Sequence, residues 1–86
     1  MPTIFSVGAY RIVVFANDHA PAHVHVLGPD GHAKFVLGLG AVDVALTEVD
    51  GIGKRDLRRI AAAIIDRFDE CMATWEKMHG DKGRKP

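Results

Sequence analysis

The chain has 86 residues, and its eleven basic and eleven acidic side chains cancel to a formal charge of zero. A length of this order holds one domain with little spare core, and the lack of net charge leaves no global field to draw the protein onto nucleic acid or an anionic membrane. The 48% hydrophobic content excludes a disordered chain.

A single cysteine, Cys71, excludes an internal disulfide, so nothing calls for an oxidising compartment. No apolar run approaches the roughly 18–20 residues of a membrane span. The N-terminus lacks the basic start and apolar stretch of a signal peptide. The expectation is a cytoplasmic protein with no membrane association.

Thr3–Val7 and residues 10–16 are rich in β-branched and aromatic side chains. Gly8-Ala9 separates them, which predicts a hairpin with a tight turn. Residues 17–22 are turn-like, and Pro21 cannot donate to a ladder. His23-Val24-His25-Val26-Leu27 and His32-Ala33-Lys34-Phe35-Val36-Leu37 each alternate polar with apolar around Gly28-Pro29-Asp30-Gly31. A two-residue Pro29-Asp30 loop would set His25 opposite Lys34 and Leu27 opposite His32. One face then carries His23, His25, His32 and Lys34. The other carries Val24, Val26, Ala33, Phe35 and Leu37, and it is the expected core face, since a sheet must bury one side.

Gly38-Leu39-Gly40 breaks the chain, and residues 42–46 read as a further short strand. With Gly53 as N-cap, Asp56 falls at the third helical position, and Ile52 and Leu57 take the hydrophobic-staple positions. Leu57, Ile60, Ile64, Phe68, Cys71, Trp75 and Met78 follow at spacings of three and four, one apolar stripe. Gly80 is a natural stop. The expected fold is α+β, a small antiparallel sheet of roughly four or five short strands packed on one long C-terminal helix. Residues 1–80 form the domain, and 81–86 read as a polar, disordered tail.

Two groups of residues could carry chemistry. Side chains two apart on a strand point the same way, so His23 and His25, with Cβ atoms roughly 7 Å apart, could chelate one metal ion. A zinc site needs a third and usually a fourth ligand. His32, His19, Asp18 and Asp30 are available, and no spacing singles one out. Lys34 beside His25 puts a cation next to any metal and weighs against one, so neither a metal nor another cofactor is expected. The same face suits metal-independent RNA cleavage. His23 and His25 would serve as base and acid, and Lys34 would stabilise the phosphorane. The plain alternative is a strand face whose His and Lys side chains have no task or dock a partner.

The second group is the helix start, where Lys54, Arg55, Arg58 and Arg59 place four cations in two turns. The helix dipole disfavours each by about 0.3–1 kcal/mol. A bound anion would compensate, because free amides and arginines make a phosphate seat. The four residues are the candidate nucleic-acid or anion-binding patch, modest in strength; otherwise they form a solvated face softened by Asp56. Phe68 and Trp75 read as core, and Cys71 as an inert buried thiol. Gly38-Leu39-Gly40 lacks the ending of a phosphate loop.

These residues carry a resemblance. Met1-Pro2-Thr3-Ile4-Phe5, Gly8, Tyr10-Arg11, Pro21-x-His23-Val24-His25-Val26, Ala33-Lys34-Phe35, Arg55-x-Leu57-Arg58-Arg59-Ile60 and Trp75-Glu76 together resemble the small bacterial domain of unknown function 4160 family. The resemblance runs from Met1 to about Gly80. It implies a cytoplasmic bacterial protein with a small cognate protein partner, in a pair of toxin–antitoxin type. It supplies no reaction. The family's histidine pair falls on His23 and His25, its lysine on Lys34, and its helix-start arginines on Arg55, Arg58 and Arg59. Gly53 stands where a serine cap is common. The expectation from sequence is one member of a two-protein module that acts on or binds RNA. The alternatives are a non-catalytic protein- or DNA-binding module, or a metal-binding module through His23 and His25. A core this small also leaves room for self-association.

Overall fold

The computed structural model describes residues 3–80. The polar tail expected at 81–86 lies outside the described residues. Five strands come first: β1 (Thr3–Val7), β2 (Tyr10–Val13), β3 (His23–Leu27), β4 (His32–Val36) and β5 (Ala45–Asp50). Two helices follow, α1 (Lys54–Asp66) and α2 (Phe68–His79). The strands form one sheet in the order β1-β2-β3-β4-β5, each antiparallel to the next. The architecture is α+β, as the alternating strands and later helical periodicity require.

Turn chemistry sets the register. Val7 pairs with Tyr10 across Gly8-Ala9, and Gly8 takes a φ of 58° that only glycine adopts without strain. In the second hairpin His25 pairs with Lys34 and Leu27 with His32, the register of a two-residue Pro29-Asp30 loop. The Gly28 amide donates to the Gly31 carbonyl at 2.9 Å. A Cβ on Gly28 would run into the Tyr10 ring. This fixes the pleat, so Val24, Val26, Ala33, Phe35 and Leu37 all face the helices and are buried.

The helices answer with Ile60, Ile64, Phe68, Cys71 and Trp75, all buried against that face. Each side chain removed from water is worth about 1.5–3 kcal/mol. Ile12 of β2 and Val14 just beyond it extend the core. Burial among these side chains pushes the Cys71 thiol up to about 12, with Glu70 adding to the rise and Arg67 opposing it. Thiolate is the reactive form. Cys71 is therefore expected to resist iodoacetamide at pH 8 in the folded protein and to react fully in urea; labelling followed by mass spectrometry checks this.

Three expectations are corrected. The C-terminal helix is two helices, not one long one. At Arg67 the backbone turns to φ −109°, ψ 32°. Hydrogen bonds still cross the bend, from the Arg67 amide to Ala63 O at 3.0 Å and from the Cys71 amide to Arg67 O at 3.1 Å. A straight helix would lift one end off a twisted sheet. The bend keeps both halves of the stripe buried, with the Arg67 guanidinium 4.9 Å from the Phe5 ring centre.

The last strand is also displaced. Of residues 42–46 only Ala45 and Leu46 belong to it: Ala41–Asp43 is a 3₁₀ turn, and β5 runs over Ala45–Asp50. The Asp43 carboxylate accepts from the Leu39 amide at 3.3 Å, and Val42 is 95% exposed. β2 likewise stops at Val13 rather than continuing to residue 16. No helix among the described residues is long and apolar enough to cross a membrane.

Candidate metal centre

The chain leaves β2 as a loop over residues 14–22 and returns as β3. Asp18 ties the loop to itself, its Oδ2 accepting from the Phe15 amide at 2.9 Å while its own amide donates to Phe15 O at 3.1 Å. The other carboxylate oxygen, Oδ1, points at the start of β3. It lies 3.0 Å from His25 Nε2 and 3.4 Å from His23 Nε2. One ligand atom from each of Asp18, His23 and His25 falls within 4.8 Å of the others.

His23 is 7% exposed. Its Nδ1 lies 2.8 Å from the Pro21 carbonyl oxygen. A carbonyl only accepts, so Nδ1 carries the proton. In the neutral ring Nε2 is then a bare lone pair, and it faces a carboxylate oxygen at 3.4 Å. That approach calls for a cation between the two, either a proton on Nε2 or a metal ion. Burial alone would raise the Asp18 carboxyl. The hydrogen bonds from His25 and the Phe15 amide, with the charges of His25 and His23, outweigh it and hold the group below its usual value. Asp18 therefore stays ionised at neutral pH.

The surroundings brace this group. His23 and His25 meet edge to face with ring centres 4.9 Å apart, and Phe15 lies 4.6 Å from His25. Behind His23 stands Trp75 of α2, 5.1 Å away, itself stacked on His79 at 4.2 Å. His79 Nε2 lies 3.1 Å from Phe15 O, which clasps the end of α2 onto the same loop. An open cleft of about 370 Å³, lined by Asn17, His19, Lys34 and Val36 among others, adjoins the two histidines. Lys34 reaches across to β5, pairing with Glu48 at 3.0 Å, and that hydrogen bond and charge hold the Glu48 carboxyl below its ordinary value.

The structure brings His23, His25 and Lys34 together on one rim. It does not bring Lys54, Arg55, Arg58 and Arg59 to them. Those four are exposed on the first turns of α1. There Asp56 lies 3.4 Å from the Tyr10 hydroxyl, and Arg59 lines a hollow with Gly8 and Pro29. That is the end of the sheet carrying the β1–β2 and β3–β4 turns. His23 pairs with Val36 at the opposite end. Of the further ligands considered, His32 and Asp30 belong to the turn end, and His19 lines the cleft. Asp18 is the one that joins the pair. Glu48 and Trp75, which complete the surroundings, carry no chemical signal in the sequence beyond an acidic strand residue and a core aromatic.

The three ligand atoms lie within 4.8 Å of one another, and an ion between them would replace the hydrogen bond that His25 Nε2 donates to Asp18. With metal–nitrogen bonds of about 2.0–2.1 Å, tetrahedral geometry puts ligand atoms about 3.3 Å apart, against 3.0 and 3.4 Å for Asp18 with His25 and with His23. A ligating histidine ordinarily donates its second N–H to a carbonyl or carboxylate, and Pro21 O fills that place for His23. Three protein ligands leave a position open toward the cleft, where a bound ion would supply Lewis acidity.

Residues 9–76 match the family described as a domain of unknown function, DUF4160. The chain belongs to this family. The matched segment holds Asp18, His23, His25, Lys34 and the four cations of α1. No curated protein and no solved structure matches the chain. The family description carries no reaction, so the site has to be read from its own chemistry.

Proposed function

We propose that this member of the DUF4160 family is a metal-binding module in which His23 Nε2, His25 Nε2 and Asp18 Oδ1 hold one divalent transition-metal ion. The observation that carries the reading is the approach of His23 Nε2 to a carboxylate oxygen at 3.4 Å while its partner nitrogen is committed to Pro21 O. Nitrogen-rich, compact donor sets favour zinc, cobalt or nickel over magnesium or calcium. Histidine binds metal in its neutral form, so affinity falls with acid. Calorimetric titration of chelator-treated protein with zinc at pH 7.5 is expected to give one equivalent. His23→Ala is expected to lose about ten- to a hundredfold in affinity or more. Absence of zinc binding at that pH would sink the reading.

A second reading follows the family resemblance: the chain as one member of a toxin–antitoxin-type pair that acts on or binds RNA. What supports it is the exposure of all four cations at the start of α1. In its metal-independent form His23 and His25 exchange the proton, Asp18 orients them and Lys34 meets the phosphorane. Arg55, Arg58 and Arg59 would then grip RNA at a distance from the cut, toward the other end of the sheet. RNA binding in this reading falls steeply with salt, and the double variant Arg58→Ala/Arg59→Ala flattens the salt slope by roughly two counterions. A slope unchanged in that variant removes the patch. RNA cleavage that persists in excess chelator would favour the metal-independent form, and cleavage restored only by added metal would favour the first reading.

A further inference from the structure

The open side of the centre has its own chemistry. Lys34 stands directly opposite His25 on the neighbouring strand, and such pairs have Cα atoms about 4.5–5.5 Å apart. Both side chains line the same cleft, with Asn17 and His19 on the loop side. Taken alone, a lysine beside a metal ligand is unfavourable. With a divalent ion seated, the ion, Lys34, Asp18 and Glu48 together leave one positive charge on this rim. The ion still lacks a fourth ligand. An anion that binds the ion through one oxygen and Lys34 through another removes both defects.

Glu48 does not already fill that role. Its side chain is 61% exposed on β5, and an ion pair so open to water is worth about 0–1 kcal/mol. Lys34 can therefore turn from Glu48 to a ligand at little cost. The shared cleft, lined by Lys34 beside His25 and by Asn17 and His19 as further donors, suits a tetrahedral oxyanion. A flat carboxylate has two oxygens to offer; a phosphate has more and spreads them in three dimensions.

We infer that the metal-loaded centre binds a phosphate group, with one oxygen on the ion and another on Lys34. Lys34 is thus an anion-anchoring residue, not a bystander to the metal. This rests on the metal reading above. The test uses cobalt, whose visible spectrum reports the ligands and geometry of the ion. Cobalt-loaded protein is titrated with inorganic phosphate, and separately with acetate. Phosphate is expected to change the spectrum saturably and more tightly than acetate does. Lys34→Met is expected to take up cobalt as the wild type does but to weaken phosphate about tenfold to a hundredfold, the loss of one charge-assisted contact. Glu48→Gln, which frees Lys34, is expected to tighten phosphate binding. Cobalt-loaded protein whose spectrum ignores phosphate, or equal phosphate affinity in wild type and Lys34→Met, overturns this inference and leaves the metal site standing. Acetate binding as tightly as phosphate likewise overturns it. A protein that takes up no cobalt overturns both.

Discussion

Asp18→Ala is expected to abolish metal affinity and, in chelator, to cost about 2–3 kcal/mol of stability as well. The second effect separates a built centre from a chance cluster. Asp18 accepts from the Phe15 amide and from His25, and it faces His23. Truncation leaves part-buried donors unpaired and frees the loop over the sheet. At about 0.05–0.15 kcal/mol per residue a domain of this size is stable by only some 4–13 kcal/mol, so the loss is visible in a urea midpoint. Asp18→Asn keeps an oxygen and the volume but not the charge, and it isolates the electrostatic part. Because the folded carboxyl sits below its usual value, its charge stabilises the fold above the unfolded value of about 3.9 and ceases to do so as pH falls through the folded value. The gap between wild type and Asp18→Asn should be full at pH 7 and close below about pH 4. A chelated Asp18→Ala protein as stable as wild type would show that the loop does not depend on this carboxylate.

Trp75→Ala is expected to have the largest effect on folding, about 3–5 kcal/mol, enough to leave much of the chain unfolded. Trp75 is fully buried at the junction of sheet, α2 and the candidate metal centre, with His23 on one side and His79 on the other. Among the described residues its buried indole N–H has no hydrogen-bond partner. Trp75→Phe therefore gives up packing volume but no polar contact, and should be far milder. Circular dichroism during thermal melts of the two variants checks the order. Comparable losses in both would mean that the indole N–H is satisfied in solution and matters. In the milder variant zinc binding should persist, weakened only as far as His23 loses its backing.

Much of this was legible in the residues. The second hairpin follows from strict alternation around Gly28-Pro29-Asp30-Gly31, and its register places His25 opposite Lys34 with no tertiary information. The helical stripe is right residue by residue. Its bend was not visible, because no proline or glycine marks Arg67. β5 was placed too early because Val42 and Val44 have strand-like side chains, while the 3₁₀ turn that displaces them depends on Asp43 reaching back to Leu39. Alternation put the histidines on the face away from the core without saying whether they are exposed, and His23 is buried, since the loop and Trp75 close over that end. Asp18 was one acid among several, and only the path of residues 14–22 brings its carboxylate to the pair. Strand alternation predicts what lies on a face and says nothing of what a loop folds onto it.

All three proposed ligands lie between residues 18 and 25, on one loop and the strand it enters. The Trp75–His79 clasp comes from the far end of the described chain. Because every strand pairs with its sequence neighbour, the sheet can assemble from short-range contacts, which form quickly. The ligands can thus gather while the helices are still undocked. An ion captured then would brace the loop before the core closes over it, so metal supply during synthesis would bear on how much protein matures, and not only on what the mature protein does.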